Sequence, residues 1–260
     1  QRWFELMGTL GGKWPHTQSV QAGGSARAID AAERLRLLAR VRELRAFLEA
    51  TTYAAPLEAI AAFDGEAALR TWHAADPLRG DLRLWLTIAA DTGLESLGPG
   101  PGRTLSFGAY PQADGAPALS RGVWDAATQT LQPVDLDAIT EDVSHAWMAD
   151  DAPRHPREGR TLPDADKPGA YTWNKAPRLA GRVVETGALA RQLADGQPLV
   201  RDAVARCGAT VYTRVLARLV ELARVLPMME RWLAGIVPRE PFFADSALPA
   251  DADGVGLTEA

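Results

Sequence analysis

Cysteine is nearly absent. Cys207 stands alone in 260 residues, so the chain by itself can build neither a disulfide framework nor a multi-thiolate zinc or iron–sulfur site. Lysine is scarce as well: only Lys13, Lys167 and Lys175 stand among an otherwise arginine-based set of cations, so a lysine inside a motif carries information. No uninterrupted apolar run is long enough to cross a bilayer, and no basic, apolar, small-residue leader precedes the first motif. The four histidines, His16, His73, His145 and His155, form no i, i+4 pair, and no carboxylate–histidine set has metalloprotease spacing. No serine sits in a nucleophile elbow. A net charge of -5, spread over 28 basic and 33 acidic residues, excludes a general attraction to nucleic acid or acidic lipid. The expectation is therefore no nucleic-acid partner and no direct membrane span.

What is there is an ordinary globular composition, 47% apolar and 23% charged, with enough chain to bury a core. Asp30 followed by Glu33 reads as an N-cap with a capping box. The helix it opens places Leu37, Leu38, Val41, Leu44 and Leu48 on one face. Pro56 interrupts it, and Leu57 to Phe63 and Glu66 to Ala75 read as shorter helices parted by Asp64-Gly65. Asp81 opens another, with Leu82, Trp85, Leu86 and Ala89 inward and its end at Gly93.

Between Leu94 and Lys175 prolines and glycines, including Gly98-Pro99-Gly100-Pro101-Gly102, cut the chain into pieces too short for long helices. Leu105 to Tyr110, Gly122 to Trp124 and Thr130 to Val134 read as strands, the last two as a hairpin around Ala126-Ala127. The aromatics Tyr110, Trp124, Trp147, Tyr171 and Trp173 argue that this long loop region is ordered. Helices return at Gly187 to Ala194, Leu199 to Arg206, and from about Thr210 to Ile236. The last carries a stripe of Val211, Val215, Leu219, Leu222, Leu226, Met229 and Leu233 that Pro227 should kink or split. The fold class expected is mainly α, with small β-hairpin elements and a long Pro/Gly-rich ordered loop region. Residues 1–260 are expected to form a single domain.

Three segments concentrate chemistry. Glycine pairs frame Leu10-Gly11-Gly12-Lys13-Trp14-Pro15-His16 and the stretch up to Gly23-Gly24. The spacing is not that of a phosphate-binding loop, so the alternatives are a tight interhelical loop or a close backbone approach with Lys13 and His16 beside it. Ile139-Thr140-Glu141-Asp142-Val143-Ser144-His145-Ala146-Trp147 packs two carboxylates, a histidine, two hydroxyls and a tryptophan together. Tyr171-Thr172-Trp173-Asn174-Lys175-Ala176-Pro177-Arg178 adds a lysine and an arginine locked beside a proline. Solvated surface loop is the plain alternative for both. Cys207 is expected to be a small buried apolar residue.

Taken in order, Leu6-Met7-Gly8-Thr9-Leu10-Gly11-Gly12-Lys13-Trp14-Pro15-His16, Thr140 to Trp147, Lys175-Ala176-Pro177-Arg178, Val184-Glu185-Thr186-Gly187-Ala188-Leu189-Ala190-Arg191 and Gly254-Val255-Gly256-Leu257-Thr258-Glu259-Ala260 resemble the large subunit of nickel–iron hydrogenases. The resemblance runs the length of the chain and implies a helical large-subunit fold. It also implies reversible splitting of dihydrogen at a nickel–iron centre bearing cyanide and carbon monoxide ligands, with magnesium nearby. In that family two Cys-x-x-Cys pairs hold the metals, and neither pair is in residues 1–260. The expectation is thus an internal portion of such a subunit, inactive by itself, with no catalytic or metal-ligating residue of its own.

The resemblance implies a supporting role for six residues. Glu141 and Lys175 match the polar pair near the magnesium site. Lys13 and His16 match a loop beside the active-site region, while Arg178 and His145 carry over as neighbours. The partner implied is the iron–sulfur small subunit. Lys13 to Ser19, Arg121 to Asp125 and Leu179 to Leu189 are most similar to the hydrogen-sensing, regulatory branch, which implies a signalling histidine kinase and a cytoplasmic location. The energy-conserving uptake branch is the alternative, with membrane association on the periplasmic side. A cysteine-less assembly or scaffold protein, and a helical interaction module without metal chemistry, are the alternatives from other classes.

Overall fold

The computed structural model describes residues 2–19, 21–149, 152–245, 247 and 249–259. They fold into α1 (Phe4–Gly11), α2 (Ala31–Phe47, prolonged by a π turn over Leu48–Thr52), α3 (Leu57–Ala61), α4 (Glu66–Ala74), α5 (Asp81–Thr92), β1 (Arg103–Pro111), β2 (Pro117–Asp125), β3 (Thr130–Gln132), β4 (Ile139–Asp142), β5 (Ala176–Leu179), α6 (Ala188–Ala194), α7 (Pro198–Cys207) and α8 (Val211–Gly235). Two compact units form, the first from the chain up to Thr92 with Arg218–Gly256, the second from Gly93–Ala217 with the segment that starts at Leu257.

In the first unit α2 opens with the expected capping box: Asp30 Oδ1 accepts from Glu33 N at 2.7 Å, and Glu33 Oε2 accepts from Asp30 N at 3.1 Å. Leu37, Val41 and Leu48 of its apolar face are buried. Arg45 ties α2 to its surroundings through Glu49 at 3.1 Å, Glu58 at 2.5 Å and Glu230 of α8 at 3.0 Å. Tyr53, fully buried, donates its hydroxyl to Leu219 O at 2.7 Å, and burial pushes its pKa up. On α5 the inward set is Leu82, Leu86 and Ala89 together with Arg83, whose guanidinium lies 3.7 Å over the Trp72 ring.

The second unit is organised around an antiparallel sheet in the order β1-β2-β3, backed by α6. Phe107 lies opposite Arg121, and Trp124 pairs with both Thr104 and Leu131. The β2–β3 turn falls at the expected hairpin, but β1 and β2 are longer than their apolar runs and meet through a turn at Asp114-Gly115. Pro111 and Pro117 sit at the strand ends, where a missing N–H costs no ladder bond. A second antiparallel ribbon, β4-β5, arises where only loops were expected. Leu105 and Val123 of the sheet and Leu179 of the ribbon share one apolar cluster, against which Phe107, Val134, Ala138, Ile139 and Val184 pack.

Helix α8 runs unbroken through Pro227, and its buried face is not the stripe expected. Tyr212, Thr213, Leu216, Ala217, Val220, Ala223, Leu226 and Leu233 are buried, whereas Leu222 is exposed. Only Leu226 and Leu233 of the expected stripe lie on the true inward face. Alanine and threonine admit close packing there, which apolar periodicity alone does not register.

Candidate functional site

Ribbon β4-β5 sets up the candidate site. Its register places Ile139 opposite Leu179, Thr140 opposite Arg178, Glu141 opposite Pro177 and Asp142 opposite Ala176. The Ile139–Leu179 end is seated in the apolar cluster of the second unit, which fixes where Glu141 emerges. Lys175, the residue before β5, donates from Nζ to Glu141 Oε2 at 3.0 Å. The two side chains retain 18% and 28% of their exposure, so the pair is substantially withdrawn from water.

The far edge of β4 is bridged by Arg154: Glu141 N donates to Arg154 O at 2.7 Å, and Arg154 N to Glu141 O at 3.3 Å. Glu141, Val143, Ala152, Arg154, Gly159 and Lys175, with Arg160, surround a cavity of about 10 Å³. That is room for about one water molecule. A Cβ at Gly159 would come to 3.2 Å of Glu141 Oε2 and 3.6 Å of Lys175 Nζ, so the glycine lets the 156–159 turn close over the ion pair.

Beyond β4 the chain makes an anchored loop. Val143, Ala146 and Met148 form a small buried cluster, and Lys167 donates to the carbonyls of Val143 and Met148, both at 3.0 Å. Asp142 Oδ1 accepts from Ser144 N at 2.9 Å. The Ser144 amide and hydroxyl, ahead of the charges of Arg178 and His145, hold the Asp142 carboxyl below its ordinary pKa. The loop lies alongside residues 171–173 through a parallel bridge between Ala146 and Thr172. This bridge aligns two aromatic pairs: His145 stacks on Tyr171 at 5.6 Å, and Trp147 meets Trp173 at 5.1 Å. Arg178 turns back to the Pro177 carbonyl at 2.9 Å.

Four of the six expected residues, Glu141, His145, Lys175 and Arg178, thus cluster on β4, β5 and the adjoining loops of the second unit. Lys13 and His16 belong to the first unit. Both are exposed in the loop after α1, where His16 has φ 61. The glycines framing that loop serve backbone packing. Thr17 Oγ1 donates to Gly11 O at 2.8 Å, and Gly23 and Gly24 lie against the 242–244 backbone, where a Cβ would meet carbonyl oxygens at 2.3 and 2.4 Å.

Two ion pairs escaped sequence reasoning. Glu185 and Arg214 form a bidentate pair at 2.5 and 2.9 Å, which raises the arginine pKa, and Gly100 leaves room for it. Arg191 and Glu259 form a second. All four residues except Arg214 lie inside the motifs quoted above. An isolated charge in an apolar motif was the available signal.

The residues described do not fit a nickel–iron centre. No three of His, Cys, Asp and Glu come together among the described residues, and the Cys207 thiol is engaged with Ala203 O at 3.2 Å on α7. Such a centre needs several soft thiolates. Glu141, the carboxylate expected near magnesium, faces an ammonium.

Comparison with known proteins places the chain. The sequence matches the nickel-dependent hydrogenase family over residues 86–260. It is 25% identical to the periplasmic [NiFeSe] hydrogenase large subunit of Desulfomicrobium baculatum, over 98% of this chain and 48% of that protein. It is 27% identical to the Hydrogenase-2 large chain of Escherichia coli K12, over 85% and 38%. A solved structure of the Dm. baculatum [NiFeSe]-hydrogenase superposes with a TM-score of 0.77 at 25% identity, covering 100% of this chain and 51% of that one. The chain spans about half of the Dm. baculatum subunit and about two fifths of the Escherichia coli one. It belongs to the nickel-dependent hydrogenase family.

Proposed function

We propose that residues 1–260 are part of a hydrogenase large subunit that splits dihydrogen reversibly at a nickel–iron centre, paired with an iron–sulfur small subunit. The observation that carries this is the family match over residues 86–260. The part assigned to this chain is support. The Glu141–Lys175 pair, withdrawn from water and backed by Gly159, would keep charge and hydrogen bonding fixed beside the catalytic region, with magnesium and ordered water near it. Lys13, His16, Arg178 and His145 belong to the same supporting set. Nickel, iron and their cyanide and carbon monoxide ligands would be held by thiolates outside residues 1–260, and no step of the chemistry is assigned to these residues. On α1, Phe4, Met7 and Leu10, with Trp14 stacked on Phe4 at 4.6 Å, are exposed, as befits a surface that packs on further protein.

The role in the cell has two readings. Hydrogen sensing, with a cytoplasmic location and a histidine-kinase output, rests on the wording of Lys13 to Ser19, Arg121 to Asp125 and Leu179 to Leu189. Energy-conserving uptake rests on the periplasmic and Hydrogenase-2 names of its relatives. The test is to produce the subunit containing this chain with its small subunit and a co-encoded kinase. Dihydrogen-dependent dye reduction and bound nickel would support the hydrogenase reading, and their absence would favour a scaffold. A dihydrogen-dependent change in kinase phosphorylation would select the sensor. Dye turnover without such a change would select uptake.

A further inference from the structure

Glu259 reaches the second unit's sheet as a ligand reaches a receptor. Its side chain is 5% exposed. Oε2 accepts from Phe107 N at 2.7 Å and lies 3.2 Å from Ser106 Oγ, while Oε1 accepts from Arg191 Nη1 at 2.8 Å. Ser106 and Phe107 are held by partners other than Glu259, and Arg191 by the burial of its helix. Ser106 is fully buried in β1; its hydroxyl accepts from Gly108 N at 3.1 Å, and its single proton is shared between Ser120 O at 2.9 Å and Glu259 Oε2. Phe107 is held by its place opposite Arg121 on β2 and by the Arg121 Nε bond to its carbonyl at 2.8 Å. Arg191 lies on α6, all seven of whose residues are buried, and its own side chain is 10% exposed.

A guanidinium, an amide N–H and a hydroxyl therefore converge on one small volume in positions set by β1 and α6. One full donor to each carboxylate oxygen, the Arg191 guanidinium and the Phe107 amide, supplemented by the shared Ser106 proton, matches a carboxylate in charge and geometry. Residues 252–259 form neither helix nor strand, so the carboxylate is a side-chain anchor for a segment without regular structure.

We propose that Ser106, the Phe107 amide and Arg191 constitute a carboxylate-binding site of the second unit. Glu259 is its ligand in cis, and a small free carboxylate can take its place. The site belongs to the β1–α6 framework, and the segment around Glu259 is fastened by occupying it. This inference stands apart from the hydrogenase reading, because its test reads neither metal content nor hydrogen turnover.

The test is chemical rescue in the full chain. Glu259→Ala removes the ligand and leaves the donors. Amide exchange at Phe107, followed by mass spectrometry of peptides spanning 103–111, should then quicken about tenfold or more, as loss of a charge-assisted hydrogen bond requires. Acetate should slow it again toward the original rate. Chloride at the same ionic strength should not, nor should acetate once Arg191→Met is added. Exchange unchanged in Glu259→Ala, or quickened exchange that acetate leaves untouched, would overturn the proposal. If Glu259→Ala does not fold, Glu259→Asp, one methylene shorter, should quicken exchange several-fold, and an unaltered rate would overturn the proposal in its turn.

Discussion

Replacing Lys175 with methionine removes the ammonium 3.0 Å from Glu141 Oε2 while keeping most of the side-chain volume. The gross attraction at that distance is roughly 5 kcal/mol at an effective dielectric constant of about 20. Most of it is offset by the dehydration both groups undergo. Solvent still reaches 18% and 28% of the two side chains, so the loss falls between the ~1 kcal/mol of exposed pairs and the ~3–5 kcal/mol of fully buried ones. Lys175→Met should therefore cost about 2 kcal/mol, because a carboxylate in a cavity with room for one water is left without its cation. Glu141→Gln should cost a similar amount. The double variant should cost less than the two together, by about 1–2 kcal/mol of coupling. Urea unfolding followed by tryptophan fluorescence measures all four corners of the cycle, and added salt should leave most of the coupling in place. Additive losses within error, or coupling abolished by moderate salt, would show the pair to be an ordinary surface contact and remove it from the supporting role.

At Gly100 a Cβ would come within 2.6 Å of both Arg214 Nη2 and Glu185 Oε2. Gly100→Ala should thus destabilise by about 1–3 kcal/mol, with much of the loss absent when Glu185→Ala is already in place. Tyr53→Phe should cost about 1 kcal/mol in thermal unfolding, since it removes the bond from a fully buried hydroxyl to the Leu219 carbonyl. Asp142, its folded-state pKa depressed chiefly by Ser144, contributes stability that is present above its unfolded pKa and fades as pH falls through the folded value. Asp142→Asn should therefore lower the unfolding midpoint at neutral pH, and the difference from the parent should close below the ordinary carboxylate range.

Local signals were legible wherever one residue decides a local geometry. The Asp30–Glu33 capping box, the burial of Leu37, Val41 and Leu48, and the β2–β3 hairpin all follow from neighbours close in the chain. The phase of α8 did not, because its buried face uses Thr213, Ala217 and Ala223 while Leu222 faces water. Ribbon β4-β5 was invisible for another reason. Each strand has four residues, one contains Pro177, and neither alternates cleanly, so the pairing exists only through a partner more than thirty residues away. At the candidate site, Glu141 and Lys175, paired only by the resemblance to the family, lie in contact. Gly159 and the Arg154 bridge, which shape their surroundings, carry no sequence signal of their own. The Arg191–Glu259 pair joins two motifs whose individual charges were in view but whose partnership depends on the path of β1.

The outer edge of β1 is closed to further strands. Arg103 O and Leu105 N are taken by the backbone of Glu185, Phe107 N by a carboxylate and Phe107 O by a guanidinium. An edge finished partly with side chains offers no continuous row of donors and acceptors for a foreign strand to copy. The sheet's longest strands are thereby shielded from the edge-to-edge growth that seeds fibrils.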